Sequence, residues 1–161
     1  DLNVQVQGTT TGGTTTGNYI ATGAWTQVGF AFDGSGVDNA AKLSIYIAGV
    51  SRTVTFIGTM PTVTASNTQP AYLGQVGTDT LFMDGKMAEF AIWQRVLLAA
   101  EFAALHNRFA PTFFRRGLVS YLPLVRGVVD ICGAASITDD TSAADHPAII
   151  RPAGWSSATA L

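Results

Sequence analysis

The stretch Trp25-Thr26-Gln27-Val28-Gly29-Phe30-Ala31-Phe32-Asp33-Gly34 decides the fold class of this chain. Val28, Phe30 and Phe32 stand at every second position, so a β-strand through them carries one apolar face. Asp33-Gly34-Ser35-Gly36 follows at once, and these residue types favour a tight turn. The stretch therefore predicts a half-buried strand that ends in a turn.

The next segments of the chain repeat this pattern. Leu43, Ile45 and Ile47 alternate again, and we predict that residues 52–57 pair with them as a hairpin across Gly49-Val50-Ser51. Consecutive strands joined by short turns must run antiparallel. Further strands are predicted at residues 71–74, 82–93 and 118–124.

Two other segments flank or follow these strands. Residues 2–7 alternate between apolar and polar types, which predicts a strand, whereas residues 8–17 are almost all Thr and Gly and predict a long loop. Residues 97–108 repeat apolar side chains at helical spacing, and Pro111 limits this helix. We expect an N-terminal strand and loop over 1–24, a sandwich over 25–124 with a helix near 97–108, and an extended C-terminal arm over 125–161.

Residues 25–108 resemble the concanavalin A-like, laminin-G-like jelly-roll superfamily. The resemblance rests on Trp25 with its Asp-Gly turn, on residues 43–49, 72–74 and 82–93, on Arg95-Val96-Leu97 and on Glu101-Phe102. It implies an all-β, antiparallel jelly-roll β-sandwich with one short C-terminal helix and an extended tail. Members of the superfamily usually carry several strands before the equivalent of Trp25, but only 24 residues precede it here. We expect that neighbouring chains, or chain outside this sequence, complete the sandwich and cover its open edges.

The tail carries a second resemblance. Residues 117–124, 130–133 and 145–147 look like the C-terminal extension that follows such a domain in phage-encoded virion proteins. The resemblance implies location in a virion and contacts with other virion proteins of the capsid or tail and with copies of the same chain. The expected interface residues of the arm are His146, Pro147, Ile149, Ile150, Arg151, Pro152 and Trp155.

The composition excludes several classes of function. Charged residues make up 12% of the chain, against about 25% in an average soluble domain, and the mean hydropathy is +0.27. This composition predicts an apolar, weakly charged surface, and such a surface predicts contacts with partners. The basic residues are scattered, which argues against nucleic-acid binding, and no run approaches the roughly 20 apolar residues of a membrane span. The single cysteine, Cys132, has no internal disulfide partner, and we expect a small buried apolar residue.

No catalytic or cofactor site is expected. Jelly-roll glucanases use paired carboxylates along one strand, but the matching strand here offers Glu89 with Ala91 and Trp93 at the alternate positions. We predict that Glu89 is structural, paired with a backbone group or with Arg95. His106 and His146 lie in no known catalytic motif.

Two binding hypotheses stay open beside the structural one. Asp33, Asp38 and Asn39 form an oxygen-rich loop of a type that binds calcium, although an ordinary turn is the favoured interpretation and no metal is expected. Tyr46, Tyr72 and Trp93 are candidates for stacking on host glycans, although core positions are favoured. The leading hypothesis is a non-enzymatic virion structural protein, a phage capsid decoration or other particle-surface component. The alternative is a carbohydrate-binding, lectin-like module.

Overall fold

A computed structural model describes residues 1–7, 11–64, 71–76, 80–124, 135–138 and 149–152. The chain divides into two compact units, one made of residues 1–67 and 95–110, the other of residues 68–94 and 111–161. Each unit is described by itself.

The first unit contains two three-stranded antiparallel sheets, with strand orders β1-β2-β6 and β3-β4-β5. Its strands are β1 Asn3–Gln7, β2 Thr11–Thr15, β3 Val28–Phe32, β4 Leu43–Ile47, β5 Val50–Arg52 and β6 Val54–Ile57. The sequence pattern predicted β1, β3 and β4 correctly.

One hydrophobic cluster joins the two sheets. Val4 of β1, Met60 and the β4 residues Leu43, Ile45 and Ile47 form its buried part. Partly buried side chains of β1 and β6 pack against it, together with the residue before β1: Leu2, Val6, Val54 and Phe56. The two sheets therefore face each other across this core, as in a β-sandwich.

The Thr/Gly run was predicted to be a loop, and that prediction is wrong for Thr11–Thr15, which form the central strand β2. Gly13 lies where the sheets approach closely, because a Cβ atom there would lie 3.1 Å from Cδ2 of Leu43. Thr15 is fully buried, and its Oγ1 accepts the N–H of Leu2 at 3.0 Å. Small residues are thus required at positions where a strand pattern would normally show large apolar ones.

The predicted strand over residues 52–57 is two strands in different sheets. β5 pairs with β4, whereas β6 pairs with β2. The hairpin turn between β4 and β5 is Ala48-Gly49, one step earlier than predicted. Both residues have positive φ, 53° and 74°, as a two-residue type I′ turn requires.

Two helices accompany these sheets, α1 Asn39–Lys42 and α2 Ala99–His106. α2 confirms the predicted helix, with shorter bounds. Its Phe102 stacks on Tyr46, which alternates with the core-facing residues of β4, so α2 covers the outer face of the β3-β4-β5 sheet. In the part of the chain that the structure describes, neither helix is long and apolar enough to cross a membrane.

The second unit contains short antiparallel pairings: β10 with β11, β8 with β9, and a sheet in the order β12-β13-β7. Its strands are β7 Ala71–Tyr72, β8 Gln75–Val76, β9 Thr80–Phe82, β10 Phe90–Trp93, β11 Leu118–Leu122, β12 Ala135–Thr138 and β13 Ile149–Pro152. The single strand predicted over residues 82–93 is wrong. Residues 83–89 are not strand, and Glu89, directly before β10, has a φ of 58° that strands do not adopt.

Candidate interaction surface

The side chains of β3 share a face with the core residues of β4. The register pairs Val28 with Ile47 and Phe30 with Ile45, and directly opposed residues of an antiparallel pair point to the same side of the sheet. Ile45 is 0% exposed and Ile47 1%, so this is the inner face of the sandwich.

The hydrophobic core nevertheless does not bury the side chains of Val28 and Phe30 in β3. Val28 is 47% exposed and Phe30 is 59% exposed, although both point to the face on which β4 is completely buried. Trp25, three residues before the strand, is 71% exposed. We call Trp25, Val28 and Phe30 the β3 surface. Within it, Val28 and Phe30 form an apolar margin of the inner face that the opposite sheet does not cover.

One edge of the β3 backbone also has no strand paired with it among the described residues. Ala48 N–H donates to the Gln27 carbonyl at 2.9 Å and Asp33 N–H donates to the Lys42 carbonyl at 2.7 Å. The odd-numbered residues of β3 therefore bond to β4, and antiparallel geometry turns the N–H and C=O groups of Val28, Phe30 and Phe32 the other way. Among the described strands, β4 is the one neighbour of β3, so these groups line a sheet edge.

Glu89 is the carboxylate at the position where glucanases of this fold carry a catalytic acid, and here it accepts a hydrogen bond from a tyrosine. The Tyr121 hydroxyl of β11 donates to Oε2 of Glu89. Tyr121 is 5% exposed, and this burial together with the hydrogen bond to Glu89 raises its pKa to about 12. The sequence left a backbone group or Arg95 as the partner of Glu89, and the structure shows the tyrosine hydroxyl as a partner of this carboxylate. The guanidinium of Arg95 binds both carboxylate oxygens of Glu101, at 2.7 and 2.5 Å.

The oxygen-rich loop after β3 serves the backbone. The N–H and Oγ of Ser35 both donate to Oδ1 of Asp33, and these bonds, the side-chain one first, lower the pKa of that carboxyl. Oδ1 of Asp38 accepts the N–H of Ala41 at 2.7 Å and so caps α1. The Asn39 carboxamide bonds to the backbone of Gly58 and Met60. These contacts support the turn interpretation, and the described residues contain no group of three His, Cys, Asp or Glu side chains placed to hold a metal ion.

Two of the three aromatic side chains predicted as glycan candidates, Tyr46 and Trp93, make contacts within the protein. Tyr46 is buried under Phe102, and Nε1 of Trp93 donates to the Phe114 carbonyl at 2.8 Å. Tyr72 is half-buried in β7. The favoured core interpretation is confirmed for Tyr46. Exposed aromatic residues lie elsewhere in the chain, among them Trp25, Phe30 and Phe113.

A second aromatic contact was not foreseen from the sequence. The guanidinium carbon of Arg52 lies 4.3 Å from the centre of the Tyr19 ring, a cation–π contact. Arg52 also donates to the Ile47 carbonyl, while its Nε atom is buried without a hydrogen-bond partner. Tyr19 and Arg52 are 33 positions apart, so no local sequence pattern indicates this contact. His106 is the exposed last residue of α2, and its Cβ lies 2.9 Å from where a Cβ of Gly49 would be.

The predicted interface residues of the arm are divided. Ile149, Ile150, Arg151 and Pro152 form β13, which pairs with β12 and, through Ile149 and Ile150, with β7. His146, Pro147 and Trp155 lie outside the described residues, as does Cys132. The interface role of the arm stays a prediction.

Comparison with known proteins adds the family. The family model of the concanavalin A-like lectin/glucanases superfamily, of the laminin G type, matches residues 1–103. The match begins 24 residues before the segment on which the resemblance was based, and so includes β1 and β2. No curated protein and no solved structure matches the chain. Because the match covers more than half of its 161 residues, the chain belongs to the concanavalin A-like lectin/glucanases superfamily.

Proposed function

We propose that this chain is a non-enzymatic structural protein that acts through protein–protein contacts, as a component of a virus particle such as a capsid decoration protein. The observation that carries the proposal is the β3 surface, where inner-face side chains of a sandwich stay exposed. Burial of apolar area is the main driving force of association, at about 25 cal/mol per Å². Covering the β3 surface with another protein therefore lowers the free energy of the complex relative to the separate proteins.

The non-enzymatic part of the proposal is supported by Glu89. Its carboxylate accepts a hydrogen bond from Tyr121, and Ala91 and Trp93 stand where a glucanase would need its second acid. The check is hydrolysis of a β-glucan panel by wild type and by Glu89→Gln. No turnover by either protein is expected, and turnover that disappears in Glu89→Gln would contradict this part.

The virus-particle part is supported by the likeness of residues 117–124, 130–133 and 145–147 to the extension found in phage virion proteins. The test is to label density-gradient fractions from the native source with an antibody against the chain. We expect the label on particles, seen by electron microscopy, and lower occupancy after deletion of residues 145–161. Label confined to free protein would overturn the proposal, and unchanged occupancy of the truncated chain would remove the arm from it.

A carbohydrate-binding module is the second candidate, and the exposure of Trp25 favours it. Trp25 is 71% exposed, and an exposed indole ring offers a flat apolar face to a sugar. Glycan-array binding that disappears in Trp25→Ala, but persists in Phe113→Ala, would favour this candidate. Phe113 is the matched control because it is an aromatic residue with the same exposed fraction.

A further inference from the structure

We propose that β3 is a strand-addition site and that its occupant is a second copy of this chain, paired antiparallel along the open edge. The inference rests on the proposed function in that it names the partner of the β3 surface. Its first support is the backbone: Val28, Phe30 and Phe32 direct their N–H and C=O groups away from β4, and no described strand pairs with this edge of β3.

The second support is the lack of protection on this edge. Edge strands of natural proteins usually carry Lys, Pro or a β-bulge that prevents pairing with another chain. β3 has the sequence Val-Gly-Phe-Ala-Phe and keeps an unshifted register with β4 over all five residues. An added strand would therefore meet neither a charge nor a missing N–H group.

The third support identifies the occupant as a copy. The chain has no charged residue between Leu2 and Phe32, so two copies brought together at β3 meet no like charges from this segment. The strand is also self-complementary. A two-fold axis at Phe30 places the Phe30 residues of both copies opposite each other, and Val28 of each opposite Phe32 of the other.

Such pairing joins two β3-β4-β5 sheets into one continuous six-stranded sheet. Apolar side chains of both strands then lie side by side on the inner face, where cross-strand aromatic and β-branched pairs stabilise a sheet. The backbone bonds supply the affinity, and the uncharged apolar face favours a copy over a charged strand.

The decisive measurement is amide hydrogen exchange of the wild-type chain, followed by NMR at about 5 and about 500 µM. Pairing predicts that the amides of Phe30 and Phe32, which point outward, become more than tenfold slower at the higher concentration. The amides of Gly29 and Ala31, which point to β4, are the internal control and stay unchanged. Outward amides that exchange equally fast at both concentrations would overturn the proposal, as would outward amides protected at both, since another segment would then hold the edge.

Variants separate this edge from other contacts. Phe30→Pro removes one outward N–H without removing a bond to β4, and Phe30→Lys adds a charge to the edge. Light scattering should show a dimer for wild type and for the control Val37→Lys, whose residue is 95% exposed and off the strand, and a monomer for both Phe30 variants. A dimer that persists in both variants would contradict the proposal.

A cross-link covers the case in which these variants fold poorly. In a Cys132→Ser background, Phe30→Cys should form a disulfide-linked dimer under mild oxidation. The control Val37→Cys should not form one. Equal cross-linking of the two variants would contradict β3 pairing. The two proposals can fail separately. If the chain dimerises through β3 but the antibody finds none of it on particles, the strand pairing stands and the proposed function is contradicted. If the chain is on particles but β3 does not pair, the proposed function stands and the strand pairing is contradicted.

Discussion

Phe102 of α2 lies flat on Tyr46 of β4, with ring centroids 3.9 Å apart and ring planes 10° from parallel. Both residues are buried, at 4% and 9% exposure. The contact fastens the helix to the outer face of the β3-β4-β5 sheet, and it is the main apolar contact that α2 buries, since Phe102 is the buried residue of the helix.

Replacing Phe102 with Ala is expected to lower the free energy of unfolding by about 3–5 kcal/mol, because removing the ring creates a cavity over Tyr46. The measurement is urea unfolding followed by tryptophan fluorescence. Leu98→Ala is the control on the same segment, since Leu98 is exposed and its loss should cost well under 1 kcal/mol. Equal costs for the two variants would show that the stack does not hold the helix.

The same stack explains why position 29 carries glycine. A Cβ atom on Gly29 would lie 2.7 Å from Cε1 of Phe102. Gly29→Ala is therefore expected to destabilise the protein by about 1–3 kcal/mol, although Ala is the better residue for an ordinary strand position. The cost should shrink in a Phe102→Leu background, measured by a double-mutant cycle, and an unchanged cost would locate the clash elsewhere.

Asn39 links α1 to the segment that follows β6. Its Nδ2 donates to the Gly58 carbonyl at 2.9 Å, and its Oδ1 accepts the N–H of Met60 at 2.8 Å. Asn39→Ala leaves the N–H of Met60, a buried residue, without this acceptor, and an unfolding cost of about 1–3 kcal/mol is expected. Asn39→Asp keeps the acceptor and should cost less in chemical denaturation at pH 7, so the reverse order would contradict the assigned bonds.

Local patterns predicted the strands whose apolar residues alternate, as in β3 and β4. They missed β2 because Gly12 and Gly13 have no side chain to show alternation, and the close approach of Leu43 that requires a small residue is a non-local fact. They also joined β5 to β6, because the partners that divide the two strands, β4 and β2, are distant in sequence. α1 offered a local signal, an Asp38 cap before four helix-compatible residues.

The β3 surface shows the same limit for the candidate site. Alternation predicts that Val28 and Phe30 share an apolar face, and the family resemblance predicts open edges. Whether the opposite sheet covers that face depends on how far it extends, which no local pattern contains. The pairing of Glu89 with Tyr121, 32 positions away, is likewise tertiary.

The start of α2 should weaken in acid. Glu101 accepts bonds from Arg95 and from the N–H of Leu98, and the bond from Arg95 is the main cause that lowers its pKa. A lowered folded-state pKa means that the stabilisation is complete above the ordinary value of 4.5 and is lost as the pH falls through the lower folded value. Urea midpoints from pH 7 to pH 2 should therefore fall less in Glu101→Gln than in wild type. Parallel pH profiles would contradict this role.

Tyr121 should titrate late, because burial and the bond to Glu89 raise its pKa to about 12 from an ordinary 10.0. A raised folded-state pKa gives a stabilisation that is complete below pH 10 and is lost as the pH rises through about 12. Absorbance of tyrosinate at alkaline pH should show one late-titrating group that is missing in Tyr121→Phe. Glu89→Gln, which keeps an acceptor but removes the negative charge, should shift this late titration to lower pH. A late titration unaffected by Glu89→Gln would mean that burial alone sets the pKa of Tyr121.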